Sequence, residues 1–456
     1  MRRAARVAIS AVTTRAVVTL SLAVLALSLA LAACLDNERE QNKTSEPMSL
    51  EDDPLAYVTS SDYRRAILER DLVDPEPTYA RVRLRHYSRS DERGWDRLPI
   101  LEWPTLPLTS ALAEQIATEK RMPELDFPPP LSAPFGDEHA PRLPTTKQEW
   151  IELGERVFFE FPMSLAPSVG RALRDGSDLR EYGVILHDDR HVGLRLADVG
   201  GRTRVVVTCA SCHASVGADG RVSGVRANRA YDHGRLRLDH GGQHEESLVD
   251  TTRAEDLDEL GPGRSDVQHD RTFNPYAFPD FGGIADMPYL HHTANWYQRG
   301  VATLAIRVET VFMSHGRIRS RPPRVLMWAL AEYLRSLPAP PPVDAPSPAS
   351  ERGRLVFERE GCDVCHVPPL YTSELRPTLE EIGTDDAAGR SPIRGTGHWR
   401  VPSLRGVGGN GPYLHHGAVA TLEQLFDPGR TEPGHRFGLE LDAASRADLI
   451  AFLRSI

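Results

Sequence analysis

Apolar positions in this chain fall into a few short segments, separated by long polar or proline-rich stretches. Residues Ser445 to Ile456 place Ala447, Leu449, Ile450 and Leu453 at spacings of three and four, the period of one helix face. Arg324 to Leu337 repeats the pattern with Val325, Leu326, Trp328, Ala329, Tyr333 and Leu334. The segments beginning at Leu153 and Glu351 are also apolar on one face. A strand-like run covers Arg204 to Thr208, and a short helix is expected around Ser61–Asp71. Pro123 to Pro144 reads as extended linker, and Pro338 to Ser350, with six prolines, as a stiff one, because proline suits neither a helix interior nor a central strand. The pattern predicts a mainly α protein with long loops and an irregular N-terminal arm.

From about residue 145 the chain repeats itself. Leu153-Gly-Glu-Arg-Val-Phe158 matches Glu351-Arg-Gly-Arg-Leu-Val-Phe357, and each precedes a Cys-x-x-Cys-His. Pro288-Tyr-Leu-His-His292 returns as Pro412-Tyr-Leu-His-His416, and Ala302-Thr-Leu304 as Ala420-Thr-Leu422. Ala331-Glu-Tyr-Leu-Arg-Ser-Leu337 returns as Ile450-Ala-Phe-Leu-Arg-Ser-Ile456. The same landmarks in the same order imply two copies of one supersecondary plan. The expected division is a leader at 1–33, a tether and proline-rich arm at 34–145, a first copy at 146–337, a linker at 338–350 and a second copy at 351–456.

The leader carries Arg2, Arg3, Arg6 and Arg15, then the apolar run Ala16 to Ala33, and ends Leu31-Ala-Ala-Cys34. A basic start, an apolar stretch and small residues describe an export signal. The ending resembles a lipobox, so Cys34 is the expected lipidation site and residues 35 to 54 a polar tether. An uncleaved anchor would equally place the folded part outside the cytoplasm. The expected location is the cell envelope or periplasm, on a membrane. With 456 residues, 40% of them hydrophobic, the chain is globular and long enough for two domains. Its formal charge is -10, or -14 without the four leader arginines. An acidic chain without a basic stripe excludes nucleic acid as a partner and leaves room for a basic one.

Apart from Cys34, the cysteines are Cys209, Cys212, Cys362 and Cys365, and each pair is followed by a histidine, His213 or His366. Cys-x-x-Cys-His is the attachment sequence of a c-type haem: two thiols bond the vinyl groups and the histidine supplies the proximal nitrogen. A redox Cys-x-x-Cys lacks its βαβ context here, a shared zinc site does not call for the trailing histidines, and two-residue disulfide loops are strained. Two covalently bound haems c are therefore expected, haem one on Cys209, Cys212 and His213, haem two on Cys362, Cys365 and His366.

The second copy resembles the C-terminal half of bacterial di-haem cytochrome c peroxidases. The likeness lies in Gly361-Cys-Asp-Val-Cys-His-Val-Pro-Pro-Leu-Tyr-Thr372, Val401-Pro-Ser-Leu-Arg405 and Gly411-Pro-Tyr-Leu-His-His-Gly-Ala-Val-Ala-Thr-Leu-Glu423. The first copy is similar through Leu153 to Phe159 and Cys209 to His213. The resemblance covers roughly residues 148 to 456 and implies two cytochrome c-like haem domains in tandem. Gly261-Pro-Gly-Arg-Ser-Asp266 and Ala285-Asp-Met-Pro288 are somewhat like an oxygen-using branch of the same superfamily. At the family's methionine ligand to haem two, this chain has Pro428, which cannot bind iron. His435 is the leading distal candidate, beside an alternative role bonding a propionate or the backbone. For haem one, Met313 and His315 lie near the corresponding position, and His233, His240, His244 and His269 are further choices. His291, His292, His415 and His416 are read as propionate or loop contacts, with a ligand role open.

The resemblance implies an oxidoreductase that reduces hydrogen peroxide with electrons from a small redox protein or respiratory-chain donor. The alternatives are a di-haem oxidase or oxygenase on an organic or protein substrate, and a two-haem electron carrier. Arg264 and Arg405 are the candidate catalytic arginines, and Trp296, Trp328 and Trp399 candidates to lie between the haems, with plain core the competing role. Calcium between the domains is a further possible ion in this superfamily, although no compact acidic loop offers itself. A homodimer is left open.

Overall fold

The strongest helical patterns in the sequence form helices in the computed structural model, and they pair as the repeat requires. The structure describes residues 50–456 apart from 88, 90, 92, 133–141, 242–251, 269, 271 and 316–319; Cys34, His244 and His269 lie outside the described residues, as does the side chain of His315. The described chain is predominantly helical with a small sheet. Among the described residues no helix is long and apolar enough to cross a membrane.

In chain order the principal elements are α1 (Pro54–Thr59), α2 (Ser61–Asp71), α3 (Thr78–Tyr87), β1 (Thr105–Thr109), α4 (Ser110–Glu119), α5 (Lys147–Glu160), β2 (Ser164–Leu165), α6 (Pro167–Asp175), β3 (Leu186–His187), β4 (Arg190–Asp198), β5 (Thr203–Val207), α7 (Val301–His315), α8 (Arg324–Ser336), α9 (Pro348–Arg359) and α10 (Ala443–Arg454). In the first copy α5 packs on α8, and in the second α9 packs on α10. A glycine makes each close approach possible. A Cβ on Gly154 would stand 1.9 Å from the Ala329 carbonyl, and one on Gly353 1.9 Å from that of Asp448. Both glycines belong to the repeated Gly-x-x-x-Phe or Gly-x-x-Val-Phe segment, whose Phe158 and Phe357 are buried against Tyr333 and Phe452. Helix α5 starts with a capping box, Thr146 with Glu149, and α9 with Ser347 and Ser350, with Pro348 in its first turn. The linker thus hands over to helix at Pro348.

The run expected as a strand is β5. It joins an antiparallel sheet in the order β1–β4–β5–β2, with β3 also on β4. Leu194, Leu196 and Val205 of this sheet bury against Val169 and Leu173 of α6 and Ile116 of α4. Sheet and helices occupy the insertion between α5 and the first Cys-x-x-Cys-His.

The N-terminal arm corrects the expectation of irregularity. Besides α2, at its expected bounds, the arm forms α1, α3, β1 and α4. Pro54 lies in the first turn of α1, Pro75 and Pro77 just ahead of α3 and Pro107 in β1, and no described proline of the arm falls in a helix interior. Buried polar residues hid the pattern: Arg64, Asp71 and Arg83 face inward. Tyr57 and Tyr87 donate to the buried Glu309 carboxylate of α7 at 3.0 and 2.8 Å, and Arg324 donates to it at 2.9 Å. Arg64 pairs with Asp96 at 2.8 Å, and Arg324 pairs with the same carboxylate. Asp52 accepts from the backbone N–H groups of Val301 and Ala302, both at 2.8 Å, at the start of α7. The arm is bolted to the helix that walls one side of the cavity described next.

Candidate functional site

Strand β5 delivers the chain to Cys209, and the turn Ala210–His213 is helical. The Thr208 hydroxyl accepts from Ala210 N–H at 3.3 Å, and its carbonyl takes the Ser211 hydroxyl at 2.9 Å. One tight turn therefore sets Cys209, Cys212 and His213 on a common cavity wall. The His213 ring stacks on Phe281 with centroids 4.4 Å apart, and its Nδ1 donates to the Pro279 carbonyl at 3.1 Å. Burial pushes its pKa down to about 4, so at neutral pH the imidazole is uncharged and Nε2 carries the lone pair.

The second site repeats this. After α9, Gly361 turns the chain at φ 71° into a short turn at Cys362–Val364. His366 Nδ1 lies 3.1 Å from the Pro402 carbonyl and 3.1 Å from that of Tyr371. Pro279 and Pro402 are thus equivalent positioning residues. Phe278-Pro279 precedes Pro288-Tyr-Leu-His-His292 as Val401-Pro402 precedes Pro412-Tyr-Leu-His-His416. That repeat is legible in the sequence but is easily passed over, since only the proline is identical.

None of the described cysteines is in a disulfide. Burial raises the Cys209 thiol to about 12 and the Cys362 thiol to about 11. A redox or zinc-binding cysteine needs the opposite shift. Both cysteine pairs and both histidines line one cavity of about 640 Å³. Its wall also holds Arg307, Arg394 and Arg400. Nη1 of Arg307 and Nε of Arg400 are buried without a protein acceptor. Buried cations call for anions, and two haems bring four propionate carboxylates. The thiols, the neutral imidazoles and these arginines fit two haems c.

His435 lines the same cavity, half-buried, with its ring centre 6.4 Å from that of His366. Metal–nitrogen bonds of roughly 2 Å on each side, plus half of each ring, span about that distance. The backbone of His435 has φ 43°, unusual for a non-glycine residue. It is fixed by its own N–H to the Ile382 carbonyl at 2.8 Å, and Arg430 donates to the carbonyls of Gly434 at 2.6 Å and His435 at 3.2 Å. Its Nδ1 has no protein partner.

Among the described residues, no histidine ring pairs with His213; its ring neighbours are Phe278 and Phe281. Met313, half-buried on α7, is not part of the cavity wall, although its neighbour Phe312 is. His233 is bonded to the Arg264 carbonyl at 2.8 Å. His240 is held by Asp175 at 2.9 Å and by Ser177 and Tyr182, both at 3.1 Å.

Arg405 reaches the cavity rim and pairs with Asp286 at 3.0 Å. Arg264 stands off the cavity wall, its guanidinium folded over the turn at Gly261. Trp399 lines the cavity and stacks on His415 at 4.5 Å. Trp296 and Trp328 are core residues packed on Tyr79 and Tyr57 of the arm. His291 and His292 also line the cavity; burial, then Arg394 for the first and Arg400 for the second, holds both well below the usual histidine range. His416 meets Glu432 at 3.3 Å. Arg307, Arg394 and Arg400 were not singled out from the sequence, where nothing distinguishes them from solvated arginines. Among the described residues no group of three or more His, Cys, Asp or Glu side chains is placed to hold a metal ion. Instead Arg229 bridges the two copies, donating to Asp280 at 3.1 Å, to Asn410 at 2.7 Å and to the Phe278 carbonyl.

No family model matches the chain. Over 120 residues it is 28% identical to methylamine utilization protein MauG of Methylorubrum extorquens, a stretch covering 24% of this chain and 34% of that protein. The chain thus spans about a third of the length of this curated relative. Similar solved structures include a MauG-like protein associated with microbial copper homeostasis (17% identity, TM-score 0.35, covering 68% of this chain and 89% of that one). They also include Kuenenia stuttgartiensis hydrazine synthase (15%, 0.39, 69% and 89%) and the diheme peroxidase BthA from Burkholderia thailandensis (16%, 0.31, 70% and 88%). At those scores the structural likeness carries no argument. The sequence match and the ordered motifs carry it, and they relate this chain to the bacterial di-haem cytochrome c peroxidase superfamily.

Proposed function

We propose that the chain is a di-haem c-type oxidoreductase that reduces hydrogen peroxide, built from two cytochrome c-like domains at 146–337 and 351–456. Bound haem would supply reversible one-electron chemistry and, where an axial position is free, a centre at which peroxide is reduced. The observation that carries the reading is the asymmetry of the two histidines. His366 faces His435 at 6.4 Å, whereas His213 faces no second imidazole among the described residues. A haem held by His366 would then have His435 beside it as a second imidazole, which suits electron relay, and one held by His213 would meet no second imidazole among the described residues.

The residues around His213 suit peroxide. Pro279 fixes the ring and leaves Nε2 toward the cavity. Ala302-Thr-Leu304 matches Ala420-Thr-Leu422, the start of the wall that leads to His435, so α7 takes the side opposite His213. Leu304, Val308, Val311 and Phe312 of α7 make that wall apolar and exclude water. Arg307 lies on the same helix and offers a cation toward a leaving oxygen. His291, a neutral imidazole with Nε2 buried and without a protein partner, is suited to hydrogen-bond peroxide in the cavity. Trp399, stacked on His415, lies in the wall shared by both sites. Location in the cell envelope, lipid on Cys34 and a small redox protein as donor belong to the same proposal.

The test is spectroscopic. Holoprotein should carry two haems per chain by mass, and Cys209→Ala and Cys362→Ala should each lower covalent haem by about one. Ferric protein should show one low-spin and one high-spin iron, and only the high-spin signal should respond to peroxide. Two low-spin irons indifferent to peroxide would make the protein a carrier. Steady oxidation of a reduced cytochrome on peroxide addition supports the peroxidase reading; oxidation that requires dioxygen instead overturns it in favour of an oxidase.

A further inference from the structure

Away from the cavity, three polar side chains converge on one imidazole. Helix α6 ends at Asp175, and Gly176 (φ 83°) and Ser177 cap it, their N–H groups bonded to the carbonyls of Leu173 at 3.1 Å and Ala172 at 3.0 Å. The cap sets Asp175 and Ser177 against the end of the helix His233–His240, where Arg171 donates to the His240 carbonyl and fixes its backbone. Asp175 Oδ2 lies 2.9 Å from His240 Nδ1, and Ser177 Oγ lies 3.1 Å from Nε2. Tyr182 Oη is also 3.1 Å from Nε2 and donates to Asp239 at 2.9 Å. None of these residues lines the cavity.

The positions of the protons follow from which groups can donate. The Asp175 carboxylate only accepts, so Nδ1 carries the hydrogen and Nε2 of the neutral ring carries the lone pair. The Tyr182 proton is committed to Asp239. The Ser177 hydroxyl is therefore the donor to Nε2. A carboxylate that orients an imidazole, whose other nitrogen can take a serine proton, is the arrangement that activates a nucleophilic serine. Holding two helix ends together needs neither this order of groups nor a half-buried hydroxyl that keeps contact with solvent, as that of Ser177 does.

We propose that Ser177 is a nucleophile, with His240 its base and Asp175 the residue that positions the base, and that this second site cleaves small carboxylic esters. Oγ bonds the carbonyl carbon as its proton passes to Nε2. The ester C–O bond breaks, and the leaving oxygen takes that proton. Water then attacks the acyl group by the same route, releasing the acid and restoring the hydroxyl. While the ring is charged, Tyr182 Oη is a second acceptor for Nε2–H. The substrate class follows from what supports the oxyanion. The N–H groups of Gly176 and Ser177 are spent on the helix cap, so they form no backbone pair for it. Lys120 Nζ, 3.8 Å from where a Cβ on Gly176 would stand, is the nearby cation. That weaker provision suits esters with an acidic leaving group rather than amides. The inference is independent of the haem chemistry.

The test is labelling of the full-length holoprotein with an alkyl fluorophosphonate, read by peptide mass, beside turnover of p-nitrophenyl acetate. The wild type should gain one adduct per chain, on Ser177, with release of fluoride, and should release p-nitrophenol slowly. Ser177→Ala should abolish both signals. His240→Gln should slow labelling roughly 100-fold. Asp175→Asn should slow it roughly tenfold, and Asp175→Glu should restore most of the rate, which a residue that merely holds the helix ends would not do. Haem content should be the same in all of them. A wild type without an adduct on Ser177, or His240→Gln labelled at the wild-type rate, would overturn the proposal. If His240→Gln fails to fold, the position of the wild-type adduct decides: Ser177 supports the assignment, and any other residue refutes it.

Discussion

Removing His435 tests the asymmetry on which the proposed function depends. In the structure its imidazole faces that of His366 at a ring separation of 6.4 Å, on a backbone with φ 43°. His435→Ala and His435→Gly both delete the ring, and both should convert the iron on His366 from low to high spin. One of two irons changes, so the low-spin signal should vanish from ferric protein while covalent haem stays at two per chain. Axial ligands set haem potentials over a range of about 0.8 V, so a shift on the order of 100 mV is expected at this iron. The two variants separate ligation from strain. A non-glycine residue held at positive φ costs roughly 1–2 kcal/mol, which alanine retains and glycine relieves. The glycine variant should therefore melt at the higher temperature of the two, with the same spectrum. Ferric paramagnetic resonance and a redox titration read the ligand, and calorimetry reads the strain. An unchanged low-spin signal in both variants would refute the assignment and return His435 to the role of a propionate or backbone contact.

Arg430→Ala frees the Gly434 and His435 carbonyls and should give a mixed-spin population at the same iron, seen in the same spectra. Gly154→Ala and Gly353→Ala should each gain about 1 kcal/mol of helix propensity but lose more to the clash at 1.9 Å with the facing carbonyl. A net loss of roughly 1–3 kcal/mol in thermal unfolding is expected. Glu309→Ala leaves Arg324, Tyr57 and Tyr87 without their shared acceptor and should cost roughly 3–5 kcal/mol, with early proteolysis of the arm as the local sign. Burial would raise the Asp96 carboxyl, but Arg324 and Arg64 outweigh it and hold the group below its usual value. A depressed folded pKa gives stability that is complete above about pH 4 and is lost as pH falls through the folded value. The stability gap between wild type and Asp96→Asn should accordingly shrink below about pH 4 in acid unfolding curves.

What the sequence disclosed and what it hid divide by chemistry. The helices around Leu153, Arg324, Glu351 and Ser445 were legible because each buries an apolar face at the helical period. The expectation of haem attachment could be drawn from the sequence because thioether chemistry fixes the spacing of Cys, Cys and His. His435 stood out once Pro428 removed the usual ligand. Helices α1, α3 and α4 were not legible, because α1 and α3 pack through Tyr57, Arg83 and Tyr87, and polar contacts leave no hydrophobic period. Arg307 and Arg400 look like any surface arginine until the fold buries them beside the cavity. Arg264 shows the converse: a motif singled it out, but the turn at Gly261 turns its side chain away from the cavity.

The insertion and the arm make two similar copies unequal. Between α5 and Cys209 the first copy spends its extra residues on a sheet whose strand β4 seals the haem-attachment loop. The arm then fixes α7 from behind: Glu309 is held by Tyr57 and Tyr87, and Arg83 bonds Thr310 at 3.0 Å. Arg83 also lies over Tyr79, with Arg394 and Arg307 near the same ring. Three cations around one phenol repel one another, and that cost is borne in a rigid buried site only if something anionic in the cavity answers it. The second copy lacks the sheet, and its attachment loop stays at the surface. A sealed pocket with buried arginines beside one histidine and an exposed attachment loop beside the other fit the proposed function, in which two nearly equivalent centres have different tasks.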